Sequence, residues 1–147
     1  INFNIRKLIQ YPNEFMPVFT EKKYFNGEWT GIVDRVDKVG NKVVVLDYKT
    51  TSGTELSEYL DELCLYANLI EQNEKVKPTH VGIFYTGNNA LVIKKLENGE
   101  VEEMFSGLET EKKLYEAQIE KGIFTTNQGV WCSWCGYKKL CPLLKRN

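Results

Sequence analysis

The chain has 147 residues, 42% of them hydrophobic and 27% charged, with a formal net charge of -1. That length and apolar content suit one domain, 1–147, around one core, and they exclude a disordered chain. No apolar stretch is long enough to span a bilayer and no signal peptide is visible, so a cytoplasmic protein is expected; the charge excludes an overall basic nucleic-acid binder, though not a local basic strip.

Val18–Phe25 is read as a strand that ends at the polar turn Asn26-Gly27. Trp29–Lys38 and Lys42–Thr50 are two β-rich runs separated by Val39-Gly40-Asn41, and Gly-Asn between alternating runs signals a tight hairpin. A helix is expected over Thr54–Asn73. Thr54 is its candidate N-cap, and Leu56, Leu60, Leu63, Ala67 and Ile70 recur at helical spacing. Thr79–Thr86 and Ala90–Leu96 read as strands on either side of Gly87-Asn88-Asn89, with Val101–Phe105 as one more candidate. Leu108–Lys121 reads as a second helix, and Phe124–Asn147 is a tail rich in Cys and aromatic residues. This order is that of an α/β (α+β) fold, a mixed sheet packed by helices, with a core at about 17–123 and the tail at about 124–147.

The hairpin has a chemical consequence. If Gly40 and Asn41 are its loop, Val39 pairs with Lys42, and counting outward places Asp34 opposite Asp47 on one face. Opposed side chains in an antiparallel pair have Cβ atoms about 4.5–5.5 Å apart, and like charges there destabilise the sheet unless something compensates them. A divalent cation does so, because carboxylate oxygens are preferred ligands of Mg²⁺ and Mn²⁺. Lys49, two residues beyond Asp47, projects from the same face. Two acids and an ammonium converging on one spot suit phosphodiester hydrolysis. The competing reading is a solvated surface hairpin. Against it, both acids interrupt apolar runs, Thr30–Val33 and Val43–Leu46.

These residues also carry a family resemblance. Gly31-Ile-Val-Asp34-Arg35-Val-Asp37, followed by Val45-Leu-Asp47-Tyr48-Lys49-Thr50, resembles the PD-(D/E)xK nuclease superfamily, in particular its RecB-like branch, which includes CRISPR-associated adaptation exonucleases and phage exonucleases. The resemblance runs from about Glu21 to Pro142. It implies a restriction-endonuclease-like core and Mg²⁺- or Mn²⁺-dependent cleavage of DNA. Asp34 and Asp47 would hold the metal, the backbone carbonyl of Tyr48 would be a further ligand, and Lys49 would orient or activate water. Glu21 matches an acidic position of the branch; its other reading is one charge in the solvated run Glu21-Lys22-Lys23. The branch's Gln-x-x-x-Tyr motif stands here as Glu62-Leu-Cys-Leu-Tyr66. Residues four apart share a helical face, so Glu62 and Tyr66 can reach the site together, but Glu replaces Gln. An N-terminal His seen in many members is also missing, and His80, the only His, reads as structural.

Cys132-x-x-Cys135-x5-Cys141-Pro142, with Phe124, Trp131, Trp134 and Tyr137, resembles the tail of the iron–sulfur nucleases of this branch. Three readings stay open: a cluster completed by a missing N-terminal cysteine, a Zn²⁺ site with another ligand, or a motif packed without metal. The chain starts at Ile1 without Met, as a fragment of a longer protein would. Cys64 reads as a small buried hydrophobe.

Lys22, Lys23, Arg35, Lys38 and Lys42 around the sheet, and Lys138, Lys139, Lys145 and Arg146 in the tail, are candidate phosphate contacts, each with solvated surface as its commoner meaning. No base-reading helix or zinc finger is present, so little sequence specificity is expected. The expected function is a metal-dependent DNA exonuclease in recombination, repair or phage DNA processing, acting alone or within a larger complex. The alternatives are an inactive nucleic-acid-binding domain of the same fold and a metal-stapled interaction module.

Overall fold

The computed structural model describes residues 16–123 and 125–143. Phe124, Lys145 and Arg146 lie outside the described residues. The chain divides into two compact units, Ile1–Glu109 and Thr110–Asn147.

The first unit contains a five-stranded sheet in the order β1-β2-β3-β4-β5, formed by Met16–Phe25, Thr30–Val39, Lys42–Lys49, His80–Tyr85 and Ala90–Lys95. All neighbours are antiparallel except β3 and β4, which are parallel. Parallel neighbours need a crossover. Here it is the 3₁₀ turn Ser57–Tyr59 and helix α1, Leu60–Glu74. The mixed sheet is the architecture expected.

Binary patterning explains the layers. β3 is buried almost end to end, as a central strand must be, whereas β5 alternates between half-buried and exposed, as an edge strand does. Leu63, Ala67 and Ile70 of α1 are fully buried against Val33, Val36, Val45, Val81 and Ile83 of the sheet. Gly31 permits this packing. A Cβ there would stand 2.8 Å from Tyr66 Cε1 and 3.2 Å from Leu69 Cδ1.

Two elements differ from expectation. The helix expected from Thr54 begins at Leu60, after the 3₁₀ turn, and neither start has a side-chain cap. Leu56 is buried, so it holds the preceding segment to the core without extending the helix. Val101–Phe105 is no strand, because α2 runs from Glu100 to Glu120. Val101 and Met104 pack on the same core at helical spacing, and acids fill the first turn, where the helix dipole favours them. Phe105 meets Trp29 edge-on, and the Trp29 indole donates to Glu109.

In the second unit, the rest of α2 leads to the 3₁₀ turn Val130–Ser133 and further i→i+3 turns through Cys141. No helix of the described residues is long and apolar enough to cross a membrane.

Candidate active site

The hairpin register is the expected one: Val39 pairs with Lys42, and the ladder runs to Arg35 opposite Leu46. It then stops one pair short of Asp34 and Asp47. Instead of a ladder bond, Tyr48 N–H donates to Asp34 Oδ2 at 2.9 Å. The cause lies in the core. Val33 and Val36 are three residues apart, yet both are buried in the same cluster, which strict alternation forbids. The strand must therefore change face between them, at Asp34. On β1 the position between Thr20–Arg35 and Lys22–Val33 is Glu21, with φ at 49°, an uncommon conformation for a residue with a side chain. The two strands break their alternation together.

Asp47 is 6% exposed, and burial raises its pKa above the usual carboxylate value; Lys49 opposes this rise, and Asp34 and Glu62 add to it. Lys49 Nζ is 2.8 Å from Asp47 Oδ2 and 3.1 Å from Glu62 Oε2. The Lys49 ammonium is thus the close charged partner of the buried Asp47 Oδ2. Burial alone would pull the Lys49 ammonium down, but Asp47 and Glu62 together outweigh it and hold Lys49 above the ordinary lysine value. The same ammonium stands 4.5 Å from the Tyr59 ring centroid, a cation–π contact. Tyr66 OH donates to Glu62 Oε1 at 2.8 Å, and burial with the nearby acids raises its pKa.

Asp34, Asp47, Lys49, Glu62 and Tyr66 therefore form one connected group. It lies toward the C-terminal end of the parallel pair, where Asp47 and Lys49 face Ile83 and Tyr85 in register. Beside it, across Tyr59, is a cavity of about 210 Å³ lined also by Thr51, Ser52, Thr54, Glu55 and Tyr85.

The other candidates are placed differently. Glu21 and Lys38 are exposed. Arg35 lies on the opposite face of the hairpin, where Nε donates to both oxygens of Asp37 at 2.8 and 2.9 Å and Nη1 reaches the Tyr48 hydroxyl at 3.4 Å. Asp37 is fully buried, and burial, only partly offset by Arg35, raises its pKa. The Asp37 role was missed in the sequence, although a spacing of two on a strand puts Arg35 and Asp37 on one face. The role of Tyr59 had no sequence signal. His80 stands at the other end of β4, bonded to Thr79. Cys64 is fully buried, and its thiol is pushed up to about 11, mainly by burial. Cys132, Cys135 and Cys141 are free thiols. Among the described residues, no three His, Cys, Asp or Glu form a group that would hold a metal by themselves.

With the fold and this group in place, comparison with known families is decisive. Residues 3–142 match the PD-(D/E)XK nuclease superfamily. The chain belongs to this nuclease superfamily. Its mixed sheet with helices is consistent with the restriction-endonuclease-like fold of that family. No curated protein matches the chain. Members of the superfamily act on nucleic acid and generally use divalent metals such as Mg²⁺. The residues present fit such an ion. The buried Asp47 carboxylate interacts with the like charge of Asp34, which its one lysine partner only partly offsets, and all-oxygen donors suit Mg²⁺ or Mn²⁺.

Proposed function

We propose that this chain is a divalent-metal-dependent deoxyribonuclease of the RecB-like branch, an exonuclease of low sequence specificity acting in cytoplasmic DNA processing. The observation that carries this reading is the buried Asp47 carboxylate, which interacts with the like charge of Asp34 and has Oδ2 2.8 Å from the Lys49 ammonium. Burial and the like charges of Asp34 and Glu62 outweigh Lys49 at this carboxylate, so its negative charge is under-compensated, as suits a site that takes up a cation.

Asp34, Asp47 and the Tyr48 carbonyl would hold Mg²⁺ or Mn²⁺. A bound ion of this kind polarises a phosphate oxygen and lowers the pKa of water. Asp34 is fixed for this task by the Tyr48 N–H bond. Lys49, kept protonated by Asp47 and Glu62, supplies positive charge beside the phosphate as negative charge develops there. Glu62 and Tyr66 set the position of Lys49 from α1. The three tail cysteines would need to come together, with a fourth ligand, to hold zinc or an iron–sulfur cluster.

The test is cleavage of end-labelled linear single- and double-stranded DNA with Mg²⁺ or Mn²⁺, against EDTA and the Asp47→Asn variant. Products that need the metal and vanish in the variant support the reading. Folded wild-type protein that cuts neither substrate with either metal overturns it.

A further inference from the structure

No Asp or Glu follows Glu120, whereas five Lys or Arg do. Thr110–Asn147 carries seven Lys or Arg against three acids, and Ile1–Glu109 twelve against seventeen. The near-neutral whole chain thus hides a strong asymmetry, and the basic unit is also where large aromatic side chains are exposed. Trp131 is 47% exposed, Trp134 71% and Tyr137 76%. Trp131 lies in the 3₁₀ turn Val130–Ser133 and Trp134 closes it, through bonds from Cys132 N to Gly129 O and from Trp134 N to Trp131 O; Tyr137 follows in the next turn, closed by Lys138 N to Cys135 O. A 3₁₀ turn has three residues per turn, which brings Trp131 and Trp134 toward the same side. Lys138 and Lys139 follow directly and are exposed.

Trp131 is held in place. Its indole donates to Asn127 O at 3.0 Å, and its ring lies over Gly129, where a Cβ would come within 2.3 Å. A protein-binding patch favours aromatics but is depleted in Lys. Exposed aromatic faces beside cations, in a stretch of sequence without acids, suit a strand of nucleic acid. Its phosphates meet the lysines, and its unpaired bases stack on the rings.

We propose that the Trp131–Lys139 segment is a stacking platform for a single strand of nucleic acid. The proposal deepens the nuclease reading and rests on it for the substrate class. It assigns Trp134 and Tyr137 to base stacking and Lys138 and Lys139 to phosphates.

The experiment measures binding of labelled dT20, rU20 and a 20-base-pair duplex by full-length protein in the Asp47→Asn background, so that no strand is consumed. Trp134→Ala and Tyr137→Ala are each expected to weaken dT20 binding about tenfold, with Trp134→Phe close to wild type. The Lys138→Gln/Lys139→Gln pair is expected to flatten the dependence of log K on log salt by about 1.4. Binding of dT20 also quenches tryptophan fluorescence, and Trp134→Phe removes part of that quench; this readout decides the matter if an Ala variant does not fold. Equal weakening for rU20 extends the platform to RNA, and weakening confined to dT20 restricts it to DNA. Unchanged binding in the Ala variants overturns the proposal, as does equal weakening for dT20 and duplex. Cleavage lost in Asp47→Asn with unchanged strand binding in Trp134→Ala leaves the nuclease standing without the platform. Weakened strand binding in Trp134→Ala, with no cleavage by wild type, leaves the platform without the nuclease.

Discussion

Replacing Arg35 with Met tests the clamp behind the candidate site. The substitution removes a guanidinium that gives two hydrogen bonds to Asp37, a carboxylate with no exposure to water. Met keeps most of the length of the side chain, so the loss is one of charge and hydrogen bonds more than of packing. Breaking a buried ion pair from one side costs about 3–5 kcal/mol, because a charge is left in a poorly solvating interior. At about 2–4 °C per kcal/mol for a domain of this size, the lower bound corresponds to a fall in Tm of about 6–12 °C. The pH dependence gives a second signature. Asp37 already has a folded pKa above its ordinary value, because burial outweighs Arg35. The folded state therefore holds this proton more tightly than the unfolded state. Asp37 favours folding most below its ordinary pKa, and this contribution is lost as pH rises through the folded pKa. Without Arg35 the folded pKa rises further, so the variant's deficit is largest near neutral pH and shrinks on acidification. Urea unfolding followed by circular dichroism at several pH values measures both. The Arg35→Met/Asp37→Leu double variant should recover most of the loss. A deficit below about 1 kcal/mol that does not change with pH would refute the reasoning.

Three further outcomes are expected. Asp47→Asn should raise the Tm of the EDTA-treated protein, since Asp47 has a raised folded pKa and its buried charge disfavours folding once pH exceeds that value; an unchanged or lower Tm counts against this account. Glu62→Gln should lower the Lys49 pKa, followed by NMR of the ammonium, because one of its two carboxylate neighbours is lost, and it should lower KM for DNA by removing a negative charge near the phosphate; a higher KM would show that Glu62 helps to hold substrate. Gly31→Ala should cost about 1–3 kcal/mol in chemical denaturation, because its methyl group meets Tyr66 and Leu69; a cost near zero would mean that α1 shifts freely on the sheet.

The hairpin shows how far local rules reach. A two-residue turn and period-two strands were enough to set the register from Val39–Lys42 to Arg35–Leu46 and to put Lys49 beside Asp47, because register follows from counting once the turn is known. Counting could not show that the ladder ends at Arg35. That depends on Val33 and Val36 both entering one core, a demand set by α1 from across the fold. Val101–Phe105 failed as a strand for a similar reason. A five-residue apolar segment is ambiguous by itself, and only packing on the core through Val101 and Met104 decides for helix. Thr54 had the chemistry of a cap, but the buried Leu56 and the 3₁₀ turn delay the helix to Leu60.

By itself the sequence determined the hairpin, the mixed α/β order, the acid–acid–lysine spacing and the charge contrast between the tail and the rest, since each depends only on the order of residues along the chain. Tertiary structure decided which polar groups lie in the interior and with what partners. It buried Asp47 against Lys49, engaged Arg35 with Asp37 behind the site, and brought Tyr59 against Lys49. Desolvation and charge pairing arise from groups distant in sequence and close in space. For that reason the strength of each ionisable group at the site could only be read after the chain had folded.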